Sequence, residues 1–460
     1  MKESKLHIME SMDVKKAIVK LALPTMMASI VQIIYNLTDT FFVGRLNDAN
    51  QVAALSLVFP IFLFIISVGN IFANGGASYI SRCLGEKKYD EAKKTNATCF
   101  YSAIILGIIF TIVIVIFMDP LLKIIGTSEN TFQFTKDYTL ILSFFSVFLI
   151  LQIALSGMVR SEGETAKAML GMIIGSGINI VLDPIFISVL NMGIGGAAWA
   201  TVIGNICGVL YYLIYYLRKK SILSISPAWF KPTKKIFKEV SKIGVPASLG
   251  QLIMGISFIL VNVVASSYGD YIVAGNGVQM RVVSIVTLIV MGISQGYQPF
   301  AGFNYGAKNS DRLVKAFKIT MLYNTTLSVF FTIIFALFSK NVIKIFIDDP
   351  QVIDAGAKIL RAFLWGLPFI GVQSTLMMTF QATGKALRAM FISLGRQCIF
   401  YIPLLFILNN LFGFNGFIFA QPIADIITTA IAVMFSFSFV KEVKTMSISA
   451  DSTKPIKHVV

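Results

Sequence analysis

The sequence predicts an all-α polytopic membrane protein, with twelve transmembrane helices in two pseudo-symmetric six-helix bundles around a central cavity. Three observations carry this. Of the 460 residues, 56% are hydrophobic and only 13% charged, about half the charged share of a soluble domain. Apolar stretches near the roughly 20 residues that cross a bilayer recur from end to end, separated by short polar connectors. The chain also repeats itself at an offset of 221 or 222 residues.

Reading apolar runs against polar punctuation predicts spans at 18–43, 52–80, 95–117, 132–158, 167–190 and 195–217. A second set follows at 238–265, 274–302, 315–338, 354–380, 388–409 and 415–440. The repeat pairs Leu23-Pro24 with Val245-Pro246, and Leu84-Gly85-Glu86-Lys87 with Tyr305-Gly306-Ala307-Lys308. It also pairs Gly163, Lys167 and Met169 with Gly384, Arg388 and Met390, and Gly195-Gly196-Ala197 with Asn415-Gly416-Phe417. Such self-similarity defines architecture. It divides the chain into an N-terminal lobe (1–217), a basic linker (218–237), a C-terminal lobe (238–440) and a tail (441–460). Six spans per half point equivalent helices the same way, as in parallel-repeat transporters, whose substrate site lies at the repeat interface.

Charge sets the orientation. Of the 39 Lys and Arg residues, 30 fall on the side of both termini, which the positive-inside rule makes cytoplasmic. The same bias explains the net charge of +16 without nucleic acid. The first 17 residues lack a short apolar core followed by a small-residue cleavage site and do not read as a signal peptide. Cys83, Cys99, Cys207 and Cys398 have no CxxC spacing, and His7 and His458 sit in the tails. Disulfides and zinc are not indicated, and proton chemistry in the spans must rest on carboxylates. No H-E-x-x-H motif and no G-x-S-x-G elbow with a histidine in a span supports an intramembrane enzyme.

Leu23-Pro24, Asn36-Leu37-Thr38-Asp39-Thr40-Phe41-Phe42-Val43-Gly44 and Gly75-Gly76-Ala77-Ser78 resemble the multidrug and toxic compound extrusion (MATE) transporters. So do Asn179-Ile180-Val181-Leu182-Asp183-Pro184 and Gly193-Ile194-Gly195-Gly196-Ala197-Ala198, in the same order and spacing along essentially the whole chain. The resemblance implies an antiporter that exports organic, often cationic, compounds in exchange for H⁺ or Na⁺. It further implies the bacterial and archaeal branch that couples through N-lobe carboxylates, with Asp39, Asn179, Asp183 and Thr201 at the matching positions. Another branch uses acids in the seventh and tenth spans, where this chain has none beyond Glu239 and Asp354 at the span ends.

The residues lead to the same site. Of 23 acidic residues, 20 fall in loops, tails or helix ends, which leaves Asp39, Asp183 and Asp425 inside predicted spans, where a carboxylate is costly and usually functional. Asn179 and Asp183 are four residues apart and share one helix face. Asn36 and Asp39, with Gln32, form a comparable stripe. Their oxygens and that of Thr201 suit Na⁺, by analogy with other hard cations; equally, two nearby acids can share a proton. Asp39 and Asp183 are therefore metal ligands only if the coupling ion is Na⁺, and no other cofactor is called for. Gln152 is counted with this site.

Arg396, Asp425 and Gln251 form a candidate polar site in the C-lobe, either a structural ion pair or part of a binding surface. Arg281 is expected near the outer face, where it can snorkel. Pro24 and Pro246 loosen helix hydrogen bonding, which makes Pro24 a candidate hinge, or else a kink fixed by packing. The functional expectation is alternating-access export of lipophilic organic cations by a monomer in the inner membrane of a prokaryote. The alternative is a lipid-linked saccharide flippase, whose pyrophosphate would call for several cavity Arg or Lys residues, where the spans offer Arg281 and Arg396.

Overall fold

The computed structural model describes residues 2–44, 46 and 48–451. Arg45, Lys454, Lys457 and His458, counted above, lie outside them. Among the described residues, ten helices are long and apolar enough to cross a membrane, and the count reaches twelve when each of two bent helix pairs is one span. In chain order they are α1 (Val14–Gly44), α2 (Ala49–Gly85), α3 (Tyr89–Ile116), α4 (Glu129–Phe144 and Ser146–Ser161), α5 (Thr165–Val189) and α6 (Gly193–Leu217). The second set is α7 (Lys234–Ser266), α8 (Asp270–Gly306), α9 (Ser310–Lys344), α10 (Pro350–Phe363 and Leu367–Ala382), α11 (Ala386–Phe412) and α12 (Phe414–Met446). From α2 onward, each helix starts 221 residues before its counterpart, as with Ala49 and Asp270 or Gly193 and Phe414.

Local chemistry sets the helix ends and irregularities. Asp48 caps α2 by accepting from the Gln51 amide at 3.1 Å and the Asn50 N–H at 2.9 Å, which holds its carboxyl below the usual carboxylate range. The fourth and tenth spans, expected as single helices, bend by 53° and 52°. In α4 the chain leaves helical geometry at Phe145 (φ −105°, ψ 13°), and Thr111 of α3 donates to the Ser143 carbonyl. In α10 the ring of Pro368 removes the N–H that would bond Leu364. Wide turns stand inside α2 at Ile71–Gly76, at the end of α5, where Leu190 N–H reaches back five residues to the Ile185 carbonyl, and inside α11, where Phe400 N–H reaches that of Gly395.

The two sets meet closely on the face that carries the helix beginnings of α1 and α7. There, a Cβ added to Gly85 would overlap the Phe303 carbonyl, and one added to Gly306 would overlap the Arg82 carbonyl, its repeat counterpart. Gly75 lies likewise against Val240, and Gly244 against Ile71. Only glycine admits such backbone approach. Side chains add to the seal: Ser78 donates to the Gln381 carbonyl, Ser248 to the Ser67 carbonyl at 2.6 Å, and Arg82 pairs with Glu239 at 2.9 Å. Buried Arg160, expected in a connector, instead ends α4 and donates to Gln295 of α8 at 2.7 Å. The short helix Lys2–Glu10 leads to this seam, where Asn304 and Arg312 both donate to the Met9 carbonyl.

Much of the segment expected as a linker is docked rather than loose. Buried Glu162 accepts from the Tyr215 hydroxyl, the Ser221 hydroxyl and the Ile222 N–H, all within 2.9 Å. Asn96 and Tyr101 of α3 donate to the Ser224 and Ile225 carbonyls, each at 3.0 Å. Phe230 packs on the Tyr101 ring with centroids 5.0 Å apart.

Candidate functional site

The N-lobe polar residues come from three helices that pack together: α1 supplies Asp39, α5 supplies Asn179 and Asp183, and α6 supplies Thr201. Asn179, Asp183 and Thr201 are all buried. The one-turn spacing of Asn179 and Asp183 brings their side chains together. With its amide oriented to satisfy every neighbour, Asn179 donates to Asp183 Oδ2 at 2.9 Å and accepts from the Thr201 hydroxyl at 3.2 Å and N–H at 2.9 Å. Asp183 Oδ1 has no hydrogen-bond partner among the described residues, although the residue is fully buried. A buried acceptor of this kind is costly unless something fills its place.

Asp39 completes the cluster. It lies within Coulombic reach of Asp183, and both carboxyls are within reach of the Tyr35 and Tyr138 hydroxyls. Tyr35 also faces Thr201. Neither tyrosine is among the sequence candidates. Tyr35 is signalled by its position four residues before Asp39, on the same helix face; Tyr138, on the first segment of α4, has no such signal. The arrangement offers carboxylate, amide, hydroxyl and phenol oxygens around one unfilled acceptor, a set that can take a proton or a small hard cation.

Other candidates stand elsewhere. Asn36 accepts from Gln32 at 3.2 Å and lines a cavity, so the expected stripe of Gln32, Asn36 and Asp39 divides between two environments. The cavity measures about 330 Å³ and lies between α1 and α8, toward the face opposite the seam. Ile33 and Leu37 of α1, Arg281 and Ser284 of α8, and Phe346 line it with Asn36. Arg281 thus faces the region between the two sets, toward the end of the molecule opposite the seam. Gln152 ties helices together: it donates to the Gly171 carbonyl at 3.0 Å, against the surfaces of Gly175 and Gly208.

In the second half, Arg396 sits in the wide turn of α11 and donates to Asp425 Oδ1 of α12 at 2.7 Å. Gln421 donates to the same oxygen at 3.2 Å, while Gln373 donates to the Asp425 carbonyl at 2.8 Å. Gln251, grouped with this pair on sequence grounds, takes part in none of these bonds. Pro24 does not interrupt α1, which is helical from Val14 to Gly44; next to it, Thr25 donates to the Ala22 carbonyl at 2.9 Å.

Comparison with known proteins agrees with this architecture. The MatE family profile matches residues 24–185 and again residues 246–407. The multidrug export protein MepA of Staphylococcus haemolyticus is 32% identical over 438 residues, covering 95% of this chain and 96% of that protein. MepA of Staphylococcus aureus is 31% identical over 442 residues, with the same coverage. A solved multidrug resistance MATE family transporter of the MOP superfamily, in an outward-facing conformation, superposes with a TM-score of 0.91 at 25% identity, covering 96% of this chain and 98% of that one. Twofold profile match, end-to-end relatives and a shared fold together make this chain a member of the multidrug and toxic compound extrusion (MatE) family, a multi-pass membrane transporter and not an enzyme.

Proposed function

We propose that the protein is a secondary antiporter that exports lipophilic organic cations and related drugs by alternating access, driven by inward movement of H⁺ or Na⁺. The observation that carries this is the unpartnered Oδ1 of buried Asp183, beside Asn179, Thr201, Tyr35 and Asp39. The coupling ion fills that place: a proton removes the charge, while Na⁺ coordinates it. Its binding and the substrate's are mutually exclusive because both draw on the same negative charge. The multidrug export function of the MepA relatives supports the substrate class.

In this reading the lobes are residues 1–217 and 238–440, the termini are cytoplasmic, and the protein works as a monomer in the inner membrane of a prokaryote. The seam then closes the cytoplasmic side and the cavity faces outward. Pro24 acts as a hinge that lets α1 bend when the carboxylates change occupancy, and the Arg396–Asp425 pair holds α11 to α12.

The test is ethidium efflux from preloaded, pump-deficient bacterial cells expressing wild type, Asp39→Asn or Asp183→Asn. The H⁺ and Na⁺ gradients are collapsed separately. Export by wild type and failure of both variants at equal expression is the expected result, and the effective collapse identifies the ion. Export unaffected by either substitution removes the site from the mechanism.

A further inference from the structure

The cavity between α1 and α8 has a polarity opposite to that of the carboxylate cluster. Among the described residues no acidic one lines it, and Arg281 is the one charged residue of its wall. Arg281 is exposed and belongs to none of the ion pairs among the described residues, which gives a guanidinium facing the cavity without a carboxylate to neutralise it. Ser284 lies one turn along α8, and Asn36 stands across from it on α1, so a hydroxyl and an amide accompany the cation. The remaining wall is apolar: Ile33, Leu37 and Phe346. A guanidinium presents a planar fork of donors that suits a carboxylate or another planar anion. An apolar wall around a few polar groups is the usual form of a small-molecule site.

We infer that this cavity is a subsite for the anionic group of an amphipathic aromatic substrate, with Arg281 as the residue that selects for it. The inference rests on the exporter reading and narrows its substrate class. Besides simple organic cations, the transporter takes zwitterions whose carboxylate pairs with Arg281. A purely cationic compound gains nothing from this wall and is repelled by it, so the subsite distinguishes among molecules that share an apolar ring system.

The experiment uses rhodamine B, a xanthene cation with a free carboxylate, and rhodamine B ethyl ester, which keeps the ring system and loses the anion. Binding of each to the full-length protein in nanodiscs is followed by fluorescence anisotropy for wild type, Arg281→Gln and Arg281→Lys. The wild type is expected to bind the free carboxylate about tenfold more tightly than the ester, in line with one charge-assisted contact. Arg281→Gln should bring the two affinities together, and Arg281→Lys should keep part of the preference. Equal binding of the two dyes by the wild type, or an undiminished preference in Arg281→Gln, overturns the inference. Ethidium efflux by wild-type cells tests the exporter reading separately, so either can fail alone.

Discussion

The α-carbon of Gly306 rests against the carbonyl of Arg82, and the repeat places Gly85 against the carbonyl of Phe303 in the same way. The seam is therefore closed by backbone on backbone. Because the obstructing atoms are carbonyls, neither contact can yield to an added side chain by rotamer change. Gly306→Val should hold the seam open and reduce export by at least about tenfold, the effect of a bias near 1.4 kcal/mol. Spin-label distances between the seam ends of α2 and α8 should lengthen. Gly177→Ala, where an added Cβ meets nothing within 4 Å, is the matched control.

At the N-lobe cluster, Thr201→Val removes the hydroxyl that Asn179 accepts from at 3.2 Å. One hydrogen bond of roughly 1 kcal/mol is lost, so with Na⁺ as the coupling ion its concentration for half-maximal export should rise by about fivefold. Thr201→Ser should restore it. Tyr35→Phe should move the same quantity in the same direction, measured from initial efflux rates against Na⁺ concentration.

Gln295→Leu tests the buried link between α4 and α8. It leaves the Arg160 guanidinium without the acceptor it now has at 2.7 Å, in a residue whose Nε is already unpartnered. An unsatisfied buried donor of this kind costs about 1–3 kcal/mol, so the thermal unfolding midpoint should fall by several degrees. Gln295→Glu would supply a charge partner and should slow export by strengthening the seam.

Glu162→Ala releases the segment after α6. The Ser221 hydroxyl and Ile222 N–H lose their shared acceptor, and the Tyr215 hydroxyl loses its partner at 2.8 Å. Trypsin cleavage after Lys219 and Lys220 should accelerate by about tenfold or more as local opening becomes easier. Wild-type protein at the same protease ratio gives the reference rate.

The sequence already revealed what depends on charge and periodicity. Asp39 and Asp183 stood out because carboxylates are expensive among apolar residues, and the repeat appeared because duplicated turns keep their glycines and prolines. Irregular geometry was not legible. The break at Phe145 has no proline to announce it. The direction in which Arg281 points depends on helix rotation, which hydropathy does not report. Arg160 and Glu162 read as connector residues because the helix and the docked linker that bury them are tertiary features. The same limit separated Asn36 and Gln152 from the carboxylate cluster with which they had been grouped.

Between Phe230, packed on Tyr101, and Lys234, where α7 begins, lie only Lys231, Pro232 and Thr233, and Thr233 already caps α7 by accepting from the Ile236 N–H at 3.3 Å. Three residues of chain reach at most about 10 Å, and proline stiffens one of them. The tether therefore works as a short strap along one edge of the seam. The two bodies cannot drift apart beside it; they can only swing about it. Opening then grows with distance from the strap, so the widest gap forms on the far edge, across the lever arm of the helices. Lengthening the strap with glycine and serine would loosen this swing into a slide.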